Sequence, residues 1–186
     1  MAKPTDTRTR ILAVARELFA QQGVRETSLR EIADRLGITK PALYYHFASR
    51  EDLVRSIVEP MMDDIERFVA GRERHDGAEP AAAHDPRELL GDYFELAWRH
   101  RDVLVMVVRE LPVLATLEVG DRFSSWRRRL ILLLLGPDPA VAARIGATVA
   151  LGGLSDCAVE YAHLPPEEVK GPAVEAAAAA LGFPRP

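Results

Sequence analysis

Lys40, Tyr44, Tyr45 and His46 crowd into the segment TKPALYYHFASREDL, which runs from Thr39 to Leu53. Lysine can donate to guanine acceptors or to phosphate, and a threonine such as Thr39 can bond to phosphate or set its methyl against a thymine methyl. The tyrosines and the histidine carry donors on flat apolar bodies that can lie along a sugar-phosphate backbone. Tyr45 can alternatively pack in a local core, and His46 can bond a backbone carbonyl. Arg50 adds a positive charge at the start of the next helix, whose N-terminal dipole also attracts phosphate. The chemistry on offer is recognition of nucleic acid.

The elements that must position these groups are legible around them. Ile11, Leu12, Ala15, Leu18 and Phe19 recur at helical spacing, and Gly23 can stop that helix, giving a first helix from about Thr7 to Gln22. Ser28 with Glu31 makes a capping-box sequence, after which Ile32, Ala33 and Leu36 supply an inward face before Gly37. Thr39 caps the third helix and Pro41 falls in its first turn, where a missing N–H removes no intrahelical bond. Leu43 and Phe47 share its buried face. Ser49, with Asp52 three residues on, starts another helix. Helix, glycine turn and helix in this order have the form of a helix-turn-helix, and a second helix of that kind sets its N-terminal residues at base edges in the major groove.

Charge is spread unevenly. Through Arg50 there are nine lysines and arginines against five acids, a net of +4 that leaves −8 for the remainder of a chain whose formal charge is −4. A basic segment on an acidic body suits a small phosphate-binding head joined to a regulatory domain. Across its 186 residues the chain has one cysteine, Cys157, which excludes an intramolecular disulfide and any CxxC metal pair. The first 22 residues lack the apolar core of a secretory signal. The aliphatic run Leu130 to Leu135 is far below the roughly 20 residues a membrane span needs. The expectation is a cytoplasmic protein with no membrane partner.

The stretch TSLREIADRLGITKPALYYHFASREDLV, Thr27 to Val54, closely resembles the DNA-binding signature of the tetracycline-repressor (TetR) family of bacterial regulators. The resemblance implies backbone contacts for Thr39, Tyr44, Tyr45 and Arg50, base or near-base contacts for Arg30, Lys40, Pro41 and Ala42, and a further contact for His46. Arg50 stands where lysine is usual, which keeps the charge and changes the reach. Pro41 and Ala42 have no side-chain donors, so base reading there would be apolar.

Beyond the signature, Ser49 to about residue 70 reads as a long helix with a kink at Pro60, and Gly71 to Pro86 reads as a mobile connection. Helical patterns resume at Arg87–His100, Asp102 to about Val108, roughly Asp121–Leu135, Pro139 to about His163 and Glu167 to about Leu181. No segment shows sustained period-two alternation, so the expected class is all-α. Residues 1–48 would form the helix-turn-helix domain and 49–186 a helical effector-binding and dimerisation domain, with helix 49–70 connecting them. HExxH, P-loop, GxGxxG and GxSxG motifs are missing and the histidines have no ligand-like pairing, so neither enzyme, cofactor nor metal is expected.

The reading is a homodimeric, ligand-responsive regulator, a repressor released from a palindromic operator by a small molecule. The alternative is a helical enzyme or interaction scaffold that retains the head. The expected dimer surface comprises Ala142, Ile145, Gly146, Val149, Gly152 and Gly153 with a second stripe of Val174, Ala177, Ala178 and Leu181, packed as a four-helix bundle between subunits. Intrachain packing is the alternative for part of it. Large side chains available to a ligand are Met61, Phe94, Trp98, Met106, Phe123, Trp126 and Tyr161, although such stripes are ordinarily core. Arg109 is the expected anchor for an acidic ligand, unless it pairs with Glu110. Arg127, Arg128 and Arg129 read as a solvated helix face, with contact to phosphate or to the head as the alternative.

Overall fold

The computed structural model describes residues 4–76, 85–109 and 119–183, and these are helical with short connections. In chain order the described helices are α1 (Pro4–Gln22), α2 (Leu29–Leu36), α3 (Lys40–His46), α4 (Arg50–Asp76), α5 (Pro86–Arg99), α6 (Arg101–Arg109), α7 (Val119–Leu135), α8 (Val141–Glu160) and α9 (Pro166–Ala180). The described residues contain no strand, so the fold is all-α. None of these helices is long and apolar enough to cross a membrane.

Local chemistry sets the first three boundaries. The Ser28 hydroxyl accepts from the Glu31 N–H at 3.1 Å and opens α2. Gly37 ends it in the left-handed region (φ 65°), where a side chain would be strained. The Ile38 N–H then returns to the Ala33 carbonyl at 3.0 Å, and Ile38 turns toward the core. Thr39 Oγ1 accepts from the Ala42 N–H at 3.3 Å, and Pro41 lies in the first turn of α3. Buried Thr27 donates to the Gly23 carbonyl at 2.8 Å and accepts from Gln22, whose amide also donates to Glu31. That network locks α2 against α1, while Ile11, Ala15, Leu18, Phe19, Ile32, Leu43 and Phe47 fill the space between the three helices.

Helix α4 opens on reciprocal bonds: the Asp52 N–H donates to Ser49 Oγ at 3.1 Å and the Asp52 carboxylate accepts from the Ala48 N–H at 3.0 Å. It then continues to Asp76, past the expected end near residue 70, so Gly71 to Asp76 is helix and not connection. The rest of that expected connection, up to residue 84, lies outside the described residues. Asp85 caps α5 by accepting from the Arg87 N–H at 3.0 Å, with Pro86 in the first turn.

In the C-terminal bundle α5, α8 and α9 pack on one another, and α7 lies along α4. Asp63 accepts from Arg122 at 2.9 Å, and Arg129 binds Glu73 at 2.6 Å and 2.7 Å and also Glu66. These pairs lace α4 to α7. The carboxylates hold the Arg129 guanidinium above its ordinary value, and Arg129 holds Glu73 below the ordinary value of 4.5. Helix α6 reaches across to pack on α1 as well as on α8, so bundle and head touch at a second place besides α4.

The second dimer stripe needs correcting. Val174, Ala177 and Ala178 are buried in the chain's own core, and Leu181 is half-buried against it, because α9 turns this face toward α5 and α8. Gly146 is also an intrachain position: a Cβ there would collide with the Ala180 carbonyl oxygen, so its bare backbone is what lets α8 and α9 approach. Ala142, Ile145 and Val149 are exposed, the last two at 59% and 60%, and Gly153 is half-buried.

Candidate nucleic-acid interface and internal cavity

Helix α3 divides its side chains sharply. Leu43 is fully buried and Phe47 nearly so, whereas Tyr44 and Tyr45 are 44% and 83% exposed beside exposed Lys40 and Pro41. The possibility that Tyr45 packs in the head's core is therefore excluded. Its ring stands edge-on to His46 at 5.2 Å between centroids, and Lys40 Nζ lies 5.6 Å from the centre of the Tyr44 ring. Ala42 and His46 are half-buried, and Thr39 is exposed with its oxygen engaged as cap acceptor. Its hydroxyl proton is free to donate.

Two neighbouring helix starts join this surface. Ser28, Arg30, Lys40, Tyr44, Ser49 and Arg50 line a concave groove of about 560 Å³ between the N-terminal ends of α2 and α4 and one side of α3. Arg30 is exposed, with its (i, i+4) partner Asp34 at 3.7 Å. Arg50 is half-buried and donates one N–H to the Arg25 carbonyl at 3.1 Å, which steadies the guanidinium and leaves its other donors available. The backbone N–H of Glu51 itself and the hydroxyl of Ser49 hold the Glu51 carboxylate below its ordinary value, so a negative charge sits at the rim. Ser28 and Ser49 are the members that sequence reasoning treated only as caps. Hydroxyl, ammonium, guanidinium and phenol groups converging on helix N-termini can bind phosphate oxygens while α3 faces base edges.

A second concavity, of about 220 Å³, lies inside the bundle among α4, α5, α6, α7 and α8. Of the expected ligand-contacting side chains it gathers Met61, Phe123 and Trp126. The others fall elsewhere. Phe94 and Met106 are buried core on other sides of their helices, Trp98 packs on Phe94 at 5.5 Å under the Arg101 guanidinium, and Tyr161 is exposed at the end of α8. The Arg109 side chain lies outside the described residues. Gly152, assigned above to the dimer surface, lines this cavity.

The polar members of the cavity were not legible in the sequence, because which side chains meet in it is decided by packing between helices and not by their neighbours in the chain. Tyr93 shares a hydrogen bond of 2.9 Å with Ser155, and burial pushes its phenol above the ordinary value. His100 Nε2 lies 2.8 Å from the Asp64 carboxylate of α4. Arg127, read above as part of a solvated face, is half-buried and donates to the Thr148 carbonyl at 3.0 Å.

An all-α chain whose compact head exposes one short helix in this way, joined to a helical bundle, has the architecture of a helix-turn-helix protein. Residues 11–57 match the family model described as bacterial regulatory proteins, tetR family. KstR2, a transcriptional repressor of Rhodococcus jostii, is 45% identical over 58 residues, 31% of this chain and 28% of that protein. The repressor BepR of Brucella suis is 33% identical over 137 residues, 73% of this chain and 66% of the relative. A transcriptional regulator from Aquifex aeolicus has a crystal structure that superposes with a TM-score of 0.68 at 26% identity, covering 91% of this chain and 96% of that one. Several of the curated relatives, KstR2 among them, are matched over under a third of their length. The chain belongs to the TetR family of DNA-binding transcription regulators.

Proposed function

We propose that this chain is a ligand-responsive repressor that occupies a palindromic double-stranded operator as a homodimer and leaves it when a small molecule fills the internal cavity. Residues 1–48 act on DNA and residues 49–186 bind effector and partner, with α4 joining them. The observation that carries the reading is α3 itself. Leu43 and Phe47 anchor it in the head while Lys40, Tyr44 and Tyr45 project from the protein with no partner segment over them among the described residues. Lys40, Pro41, Ala42 and Arg30 then read bases, while Thr39, Tyr44, Tyr45, His46 and Arg50 hold the backbone. The names of KstR2 and BepR, both repressors, favour repression over activation.

Dimerisation uses the exposed side of α8, where Val141, Ile145 and Val149 stand 59–63% exposed beside Leu132 of α7. A two-fold pair would offer its heads to half-sites about one helical turn apart, roughly 34–36 Å, or a multiple of it. The effector acts through α4, because Met61 and Ile65 line the cavity and the same helix carries Leu53, Val54 and Ile57 in the continuous core shared with the head. Pro60 lies between these two groups and removes the N–H that would bond to the Ser56 carbonyl, a natural place for the helix to flex. Release requires the ligand to prefer the conformation with displaced heads; carrying the equilibrium from 99:1 to 1:99 takes a preference of about 10⁴-fold.

Fluorescence anisotropy with DNA from upstream of the protein's own gene tests the reading. The expected result is a saturable complex that weakens steeply between 50 and 200 mM salt and protects two symmetric half-sites from cleavage. A chain that forms no such complex, or one insensitive to salt, is not this kind of regulator.

A further inference from the structure

The cavity carries information about the chemical class of its occupant. Helix α7 has four arginines: Arg128 is exposed, and two of the others are committed, Arg122 to Asp63 and Arg129 to Glu66 and Glu73. Arg127 differs. It lines the cavity, gives one N–H to the Thr148 carbonyl, and among the described residues has no carboxylate within salt-bridge distance. Gly152 faces it from α8 without a side chain, 3.7 Å from where a Cβ would stand, so the guanidinium has room over that backbone.

The Tyr93–Ser155 pair lines the same cavity. As it stands Ser155 donates to the Leu151 carbonyl at 3.2 Å, so Tyr93 donates to Ser155. Reversing both hydroxyls lets Ser155 donate to Tyr93 and frees the phenol proton for an anion. Burial raises the Tyr93 phenol, and Asp156, which also lines the cavity, is exposed. Arg127 thus sets a guanidinium in the cavity wall with no carboxylate paired to it among the described residues. The remaining wall is apolar and aromatic: Phe123 and Trp126 lie 5.3 Å apart, and Tyr93 lies 6.1 Å from Trp126. Such ring faces favour an aromatic ring laid against them. Benzene occupies an apolar cavity of about 150 Å³. The 220 Å³ here holds one ring with a short acidic side chain and is too small for a fused polycycle without rearrangement.

We propose that the effector is a small amphipathic monoanion, a single-ring aromatic carboxylate whose ring lies against Phe123, Trp126 and Met61 and whose carboxylate pairs with Arg127 and Tyr93. The assignment rests on reading this cavity as the effector site. Because Arg127 also holds the Thr148 carbonyl on α8, an anion drawing on its guanidinium changes a contact beside exposed Val149 as well as the wall formed by α4.

Titration calorimetry with sodium 3-phenylpropionate and with neutral 3-phenylpropan-1-ol tests this on the full chain without DNA. The acid is expected to bind about tenfold or more tightly than the alcohol, the difference to vanish in Arg127→Gln, and part of it to remain in Arg127→Lys. Thermal unfolding of each variant confirms that it is folded. Ala97→Phe, which sets a ring inside the cavity, is expected to abolish binding of both compounds. Equal affinity for acid and alcohol, or acid binding unchanged in Arg127→Gln, overturns the anionic class; if Ala97→Phe still removes that binding, the cavity remains the ligand site. Acid binding that survives Ala97→Phe places the site elsewhere and overturns both. Binding of neither compound to wild type also overturns the proposal.

Discussion

Replacing Lys40 with alanine separates what α3 does for the fold from what it does for DNA. The ammonium is exposed and its one described neighbour is the Tyr44 ring at 5.6 Å, an exposed cation–π contact worth about 0.5 kcal/mol. The unfolding transition should therefore hardly move. DNA binding should respond in one of two distinguishable ways. If Lys40 meets a phosphate, one counterion-releasing contact is lost, and the salt slope falls by about 0.9. Between 50 and 200 mM salt the penalty of the substitution then shrinks by about 3.5-fold, and it is the same for operator and random DNA. If Lys40 meets a guanine edge, the penalty is about 1–3 kcal/mol, appears on the operator alone, and relaxes discrimination at one base pair. Anisotropy isotherms at the two salt concentrations, on operator and on a scrambled duplex, measure both quantities. Isotherms identical to wild type under all four conditions would refute the placement of α3 on DNA.

Gly146→Ala should destabilise the chain by about 1–3 kcal/mol, seen as an earlier thermal transition, since the new methyl meets the Ala180 carbonyl and forces α8 from α9. Val149→Arg should leave the unfolding transition of the single chain in place, because Val149 is 60% exposed, while sedimentation should report a dimer for the wild type and a monomer for the variant. Arg129→Met should flatten the acid side of the stability profile. Glu73 is held below 4.5 by Arg129, so that pairing stabilises the fold above this value and the contribution is lost as pH falls through the lower folded-state value. Melting curves of wild type and variant should thus converge as pH falls below the folded-state value of Glu73 and diverge toward neutrality; a constant gap at all pH values would show that the pairing is immaterial.

Class and head were legible in the sequence because their determinants are local. Ser28 with Glu31, Gly37 at a left-handed turn, Thr39 ahead of Pro41, and the Leu43–Phe47 spacing each act within a few residues, and every one of them is made in the fold as the spacing implies. The same locality exposes Lys40 and Tyr44, since a short helix with one anchored face has no other place for them. The bundle followed a different rule. Val174, Ala177 and Ala178 have the pattern of an apolar stripe whether a subunit or the chain itself covers them, and only the approach of α9 to α5 and α8 decides in favour of the chain. Arg127, Arg128 and Arg129 are consecutive and chemically alike. Successive residues on a helix point about 100° apart, so one turns to the Glu66–Glu73 edge of α4, one to solvent and one to the cavity beside Tyr93. Periodicity records how often a helix shows a face, whereas which helix receives it depends on long-range packing that no local spacing encodes.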